Sequence, residues 1–232
     1  MALCLGLATQ AAGEIVSARY TEPTDRYPHG VLGDELEFAT LEITLASGSV
    51  QAIRFPDTVV FEDTKPRLAD LDGDGAPEVI TVISHANAGA QFHVFGFRDG
   101  TIRSLANNPF IGTRFRWLAI VGIDDVDGDG FQDIVYVDRP HLAKTLRVWR
   151  VIPEGSSLRV EEVASLPGVT NHRIGEEDIA GGIRDCGSGP EMIVADADWQ
   201  SVMAVRFDGT SFETRDLGPH LGRASFAEAM DC

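Results

Sequence analysis

Basic residues are scarce. Nineteen Lys and Arg stand against 36 Asp and Glu in 232 residues, a formal charge of −17. A phosphate-coating nucleic-acid binder needs basic patches, so that class is excluded, and an anionic membrane surface is a poor partner for the same reason. Long apolar runs are missing as well: none reaches the ~18–20 residues of a membrane span. No H-x-x-x-H pair, G-x-S-x-G elbow or phosphate-cradling glycine loop occurs, which removes the usual zinc-hydrolase, serine-hydrolase and nucleotide-binding signatures. There are only three cysteines, too few for a disulfide scaffold.

Present instead are 24 glycines and a 44% apolar fraction, enough to bury a core and rich in turn formers. Residues 1–12 read M-A-L-C-L-G-L-A-T-Q-A-A. They carry no charge and end in small residues, like the end of a secretory signal with a cut after Ala11 or Ala12. The expected mature domain is 13–232 and the expected location exported, periplasmic or secreted. The alternative is a frayed cytoplasmic tail. Processing would remove Cys4 and leave Cys186 and Cys232, an even pair that predicts one disulfide; two free thiols are the alternative.

An internal repeat organises the rest. Residues 68–80 (LADLDGDGAPEVI) match 123–135 (IDDVDGDGFQDIV), and 183–193 (IRDCGSGPEMI) is a worn third copy. Polar-glycine turns follow in the same frame at Ser47-Gly48, Asp99-Gly100, Glu154-Gly155 and Asp208-Gly209, between β-rich runs, as hairpins require. In the second repeat, strands are predicted over 67–69, 79–84, 91–97 and 101–105. Four short strands in about 54 residues is close to the period of a propeller blade. The predicted fold is all-β, a β-propeller of four-stranded blades. Four blades fit residues 13–232; a five-bladed ring, a flat β-array and a sandwich are the alternatives.

Each intact loop places carboxylates at positions 1, 3, 5 and 9, with glycines at 4 and 6. Calcium takes six to eight oxygens, and such a loop can curl around one ion. The candidate ligands are Asp70, Asp72, Asp74, the Ala76 carbonyl and Glu78 in one loop. In the other they are Asp125, Asp127, Asp129, the Phe131 carbonyl and Asp133. The loops are not EF-hands, because Thr81 and Tyr136 stand where a bidentate glutamate belongs. Zinc is disfavoured by the absence of His and Cys. The metal-free alternative is a pair of surface hairpins rich in Asx turns.

The D-x-D-G-D-G-x-x-[DE] loop between two strands resembles the FG-GAP/VCBS repeat family, over roughly residues 67–217. The resemblance implies an integrin-α-like propeller and two Ca2+ sites, and no single activity, since one fold hosts many functions. The first repeat has no acidic loop, reading Y-T-E-P-T-D-R at 20–26.

The expected function is a binding or scaffold module for a protein or glycan ligand, with structural calcium; a calcium-dependent hydrolase or lyase is the alternative. No catalytic residue is singled out. In the strand frame the acidic loops and glycine turns share one end. The opposite end receives His85, Arg139, His141, Trp199, Glu62, Asp63, Arg114, Arg116, His172 and Glu176. Longer connections more often carry binding groups, so a ligand is expected there. The alternative is that these groups only pair with one another.

Overall fold

The structure is a computed structural model and describes residues 13–232. The expected signal segment, 1–12, lies outside the described residues. Among the described residues the fold is all-β, seventeen strands in three antiparallel sheets, with one short helix after the last strand.

The first sheet holds eight strands: β1 (Ile15–Thr24), β2 (Glu37–Leu45), β3 (Val50–Arg54), β4 (Val59–Phe61), β5 (Arg67–Ala69), β6 (Glu78–His85), β7 (Gly89–Arg98) and β8 (Thr101–Asn107). The second is a plain four-stranded meander of β9 (Leu118–Asp124), β10 (Asp133–Asp138), β11 (Thr145–Glu154) and β12 (Ser157–Pro167). The third holds β13 (Val169–Thr170), β14 (Gly182–Asp185), β15 (Pro190–Asp196), β16 (Ser201–Phe207) and β17 (Phe212–Pro219). The helix α1 spans Arg223–Met230.

The first sheet departs from separate four-stranded blades. β4 pairs with β2 through Phe38 and Phe61, and with β6 through Val59–Phe61, so the first two repeats share one sheet. The physical reason is the apolar run Val59-Val60-Phe61, buried on both faces, which finds backbone partners on either side. Among the described residues no sheet closes on itself.

Hairpin chemistry sets the connections. Asp99 (φ 51°) and Gly100 (φ 85°) both take positive φ, the I′ geometry that matches strand twist and that Asp-Gly supplies. Inner strands are buried along their length: β10 entirely and β6 in all but His85, both as Val/Ile-rich runs. One core joins the first and second sheets through Phe92, Trp117, Ile134 and Trp149. A second joins the second and third through Val135, Val148, Met192 and Val205. Phe226 and Ala229 of α1 cover Ile193 and Val202. The loop after β1 meets the loop after β13, where the Gly175 N–H donates to the Val31 carbonyl (3.0 Å).

Candidate functional site: two acidic loops and the opposite end

The loop joining β5 to β6 and the loop joining β9 to β10 repeat one another almost bond for bond. The Gly73 N–H donates to Asp70 Oδ1 (2.8 Å) and Gly75 N–H to Asp70 Oδ2 (2.9 Å). The Gly128 and Gly130 N–H groups do the same to Asp125 at 2.8 and 2.9 Å. Ala76 N–H binds Asp74 and Phe131 N–H binds Asp129, at 2.8 and 2.9 Å. At the base, Leu71 N–H donates to Glu78 (3.0 Å) and Val126 N–H to Asp133 (3.2 Å).

This folding brings oxygens of Asp70, Asp72 and Glu78 within 4.8 Å of one another, and likewise those of Asp125, Asp127 and Asp133. Asp74 and Asp129 fall outside these groups. Glu78 and Asp133 are buried. Burial first, then the neighbouring Asp72 and Asp127 charges, push both carboxyls up to about 7. Asp133 Oδ1 is buried without a hydrogen-bond partner.

Each cluster also receives one guanidinium, which the motif does not announce. Arg98 Nη2 donates to Asp72 (2.6 Å) and Glu78 (3.0 Å). Arg150 Nη2 pairs with Asp127, and with Asp129 at 2.8 Å. One cation against four carboxylates leaves each loop negative. Hard oxygen donors and net negative charge in both loops fit a divalent cation, and in the second loop so does the Asp133 oxygen that accepts no hydrogen bond among the described residues, 3.9 Å from Arg150 Nε. The third copy has lost this character. Asp185 Oδ1 accepts three loop N–H groups, from Gly187, Ser188 and Gly189, and Cys186 is bonded to Cys232 with Cα atoms 5.5 Å apart.

The expected ligand residues lie at the far ends of the strands, where β6 meets β7 and β10 meets β11. They are mostly spoken for. His141 Nε2–H donates to His172 Nδ1 (3.0 Å), because His172 uses Nε2–H on the Glu176 carbonyl (2.8 Å). Burial lowers both histidines, His141 to about 4. Glu62 is fully buried; it binds His29 Nδ1 (2.5 Å) and accepts from Ser84 Oγ. Burial raises the Glu62 carboxyl, and the hydrogen bond from His29 opposes the rise. Burial and the nearby Glu62 also lift Glu37, to about 10.

Asp63 turns to Arg67 (2.6 Å) and Tyr20. Arg139 forks onto its neighbour Asp138 at 2.8 and 2.9 Å. His85 stands apart, accepting the Asn87 N–H and facing Phe110. In the run Glu176-Glu177-Asp178, Arg223 binds Glu176 and Asp178. Between His29, Arg116, Arg139 and His141 the cleft is only about 20 Å³, about one water. His29 and Ser84 were not singled out from sequence, because neither sits in a motif.

Among the described residues, three arginines make no carboxylate pair: Arg114, Arg116 and Arg173. All three lie at this end. Arg114 stacks on Phe115 (4.4 Å) and Arg173 on Trp199 (4.3 Å), and Arg116 donates to a carbonyl (2.8 Å). Every other arginine pairs with at least one Asp or Glu. Leu36, Leu142, Ile174 and Leu221 are exposed on the loops of the same end.

No protein-family model matches the chain, and no curated protein matches it. Among solved structures it is similar to the WD40 domain of SCAP from fission yeast, at 9% identity and a TM-score of 0.44. That match covers 91% of this chain and 43% of the other, so the chain spans less than half the length of that structure. No helix among the described residues is long and apolar enough to cross a membrane.

Proposed function

We propose that the chain is an exported β-propeller of the FG-GAP/VCBS kind, steadied by two calcium ions, that works as a binding or scaffold module. The observation that carries the calcium reading is the bond-for-bond repetition of the two acidic loops. Shaping two loops alike around crowded carboxylates costs repulsion twice, and a divalent cation offsets it. Asp70, Asp72 and Glu78 would hold one ion, and Asp125, Asp127 and Asp133 the other, with Asp74, Asp129 and the Ala76 and Phe131 carbonyls as further donors. The ion supplies charge neutralisation and a fixed corner, not reaction chemistry.

The propeller reading draws on successive antiparallel sheets packed side by side and on the contact between the Val31 and Gly175 loops. Four blades place the shared first sheet as two of them. Export is supported by the Cys186–Cys232 bridge, since such bonds persist in oxidising compartments. The ligand end offers a face rather than a pocket. Its unpaired arginines and exposed leucines favour a protein with an acidic, partly apolar surface over a small glycan.

Thermal unfolding in calcium and in chelator tests the metal. At calcium ~100 times the dissociation constant, each site adds about 2.7 kcal/mol, and Asp72→Ala or Asp127→Ala removes part of the gain. Melting that ignores calcium would refute the reading.

A further inference from the structure

The third sheet has turned the acidic-loop position into its electrostatic opposite. Glu191 sits where Glu78 and Asp133 sit, at the base of the loop. Arg184 faces it across β14 and β15, in the register place of Ala69 and Asp124. Arg184 binds Glu191 Oε2 through Nη2 (2.8 Å) and Nε (3.2 Å) and spends Nη1 on the Ala229 carbonyl. Arg215 Nη2 reaches both Glu191 oxygens at 2.8 and 3.1 Å, and Arg206 Nη2 lies 3.4 Å from one of them. Three guanidinium groups therefore meet one carboxylate, where each intact loop sets one guanidinium against four.

Arg206 and Arg215 commit only Nη2. Their Nε and Nη1 donors have no hydrogen-bond partner among the described residues. The three arginines line a cleft of about 260 Å³ together with Cys186, Ser188 and Glu213. Planar guanidinium forks with free N–H groups are the usual recognition elements for carboxylate, phosphate and sulfate. The volume suits a small ion better than a drug-sized ligand. Glu213, across from Arg206 in the register, leaves the lining three cations against two carboxylates.

We infer that this cleft is a binding site for a small oxyanion held between Arg206 and Arg215, with Arg184 and Glu191 fixing the guanidinium planes. The site is independent of calcium at the other two loops, so either reading can fail alone.

The test is calorimetric titration of the intact, oxidised protein with inorganic phosphate, sulfate or acetate, at constant ionic strength set with chloride. Saturable binding with a dissociation constant of about 1 mM or below is expected for at least one ion. Which ion binds tightest separates phosphorylated, sulfated and carboxylate ligands. Arg206→Gln and Arg215→Gln should each weaken binding about tenfold or more. Their side chains are 38% and 55% exposed, so the fold should tolerate the change, and unfolding curves of the variants are the control for it. Glu213→Gln should tighten binding, and Arg159→Gln, on β12, should leave it unchanged. Unsaturable heats for all three ions, or equal affinity in the wild type and both arginine variants, would overturn the inference.

Discussion

Replacing Cys232 with serine isolates one covalent constraint. The bridge spans 46 positions and closes a loop that contains β15, β16, β17 and α1. Chain entropy gives roughly 4 kcal/mol for a loop of that length, if the reduced unfolded chain is fully relaxed. For a chain this long the unfolding entropy is about 0.5 kcal/mol/K, so the melting temperature should fall by about 8 °C. The constraint also holds α1 in place. Eight residues are too few for a stable isolated helix, and α1 has no side-chain cap. Its remaining anchors are Phe226 and Ala229 in the core, the Arg184 bond to the Ala229 carbonyl, and the half-exposed Arg223 pairs with Glu176 and Asp178. Burial of one phenylalanine is worth about 2 kcal/mol, so α1 should fray in the variant while the three sheets persist. Scanning calorimetry and amide exchange of wild type, Cys186→Ser, Cys232→Ser and the double variant provide the check. Both singles and the double should fall together, because each removes the same bond. A shift near zero, or a double variant much worse than either single, would refute the reasoning.

Two other outcomes follow from single positions. Gly181 has φ +77°, and an added Cβ would lie 1.8 Å from the Ile193 carbonyl oxygen, whereas Gly155, at φ +65°, has open space. Gly181→Ala should cost about 3 kcal/mol or more and Gly155→Ala about 1 kcal/mol; equal shifts in denaturation midpoint would sink the argument. His93 is buried, donating to Ser104 Oγ (2.7 Å) and accepting from Gln91 (3.2 Å), and burial lowers it to about 4. The unfolded chain takes up that proton near pH 6.5, so stability is whole above 6.5 and drains away as pH falls toward 4. At pH 5 the loss from this group is about 2 kcal/mol, and His93→Phe should flatten the urea midpoint against pH; an unchanged slope would count against it.

Much of the secondary structure is legible in the sequence, because punctuation and burial agree. The Asp-Gly turn at 99–100 and the acidic loop at 70–78 bound strands whose residues are apolar on both faces. The strand 67–69 is read to the residue, and 79–84 and 91–97 fall one or two short at each end. The shared first sheet is not legible. Val59-Val60-Phe61 shows only that three residues are buried, and carries no sign of which neighbours its backbone joins. α1 escapes notice for a related reason: R-A-S-F-A-E-A-M offers one buried ring and no cap, too little for a periodic pattern. In the acidic loops the carboxylates obey a fixed spacing within one turn, so they are visible. Their guanidinium partners are not, because Arg98 follows Glu78 by 20 positions and Arg150 follows Asp133 by 17, the strand between them differing in length. His29 and Glu62 meet only through tertiary structure, and no local rule links residues 33 apart.

The double pairing of β4 means that sequence repeats and mechanical parts do not coincide. A cut near residue 66, at the border of the first and second repeats, would strip β6 of the partner for Ile83, Ser84 and His85 and leave Glu62 absent beneath the Trp117 indole, which donates to its carbonyl (2.8 Å). Inheritance by duplication would have had to proceed with that seam already sewn or sew it afterwards. Either way, the first two repeats form one block joined by a continuous ladder, whereas the borders after β8 and after β12 are crossed by packed side chains and by single backbone bonds, from Ala90 N–H to the Arg116 carbonyl (2.9 Å) and from Val169 N–H to the Lys144 carbonyl (3.1 Å).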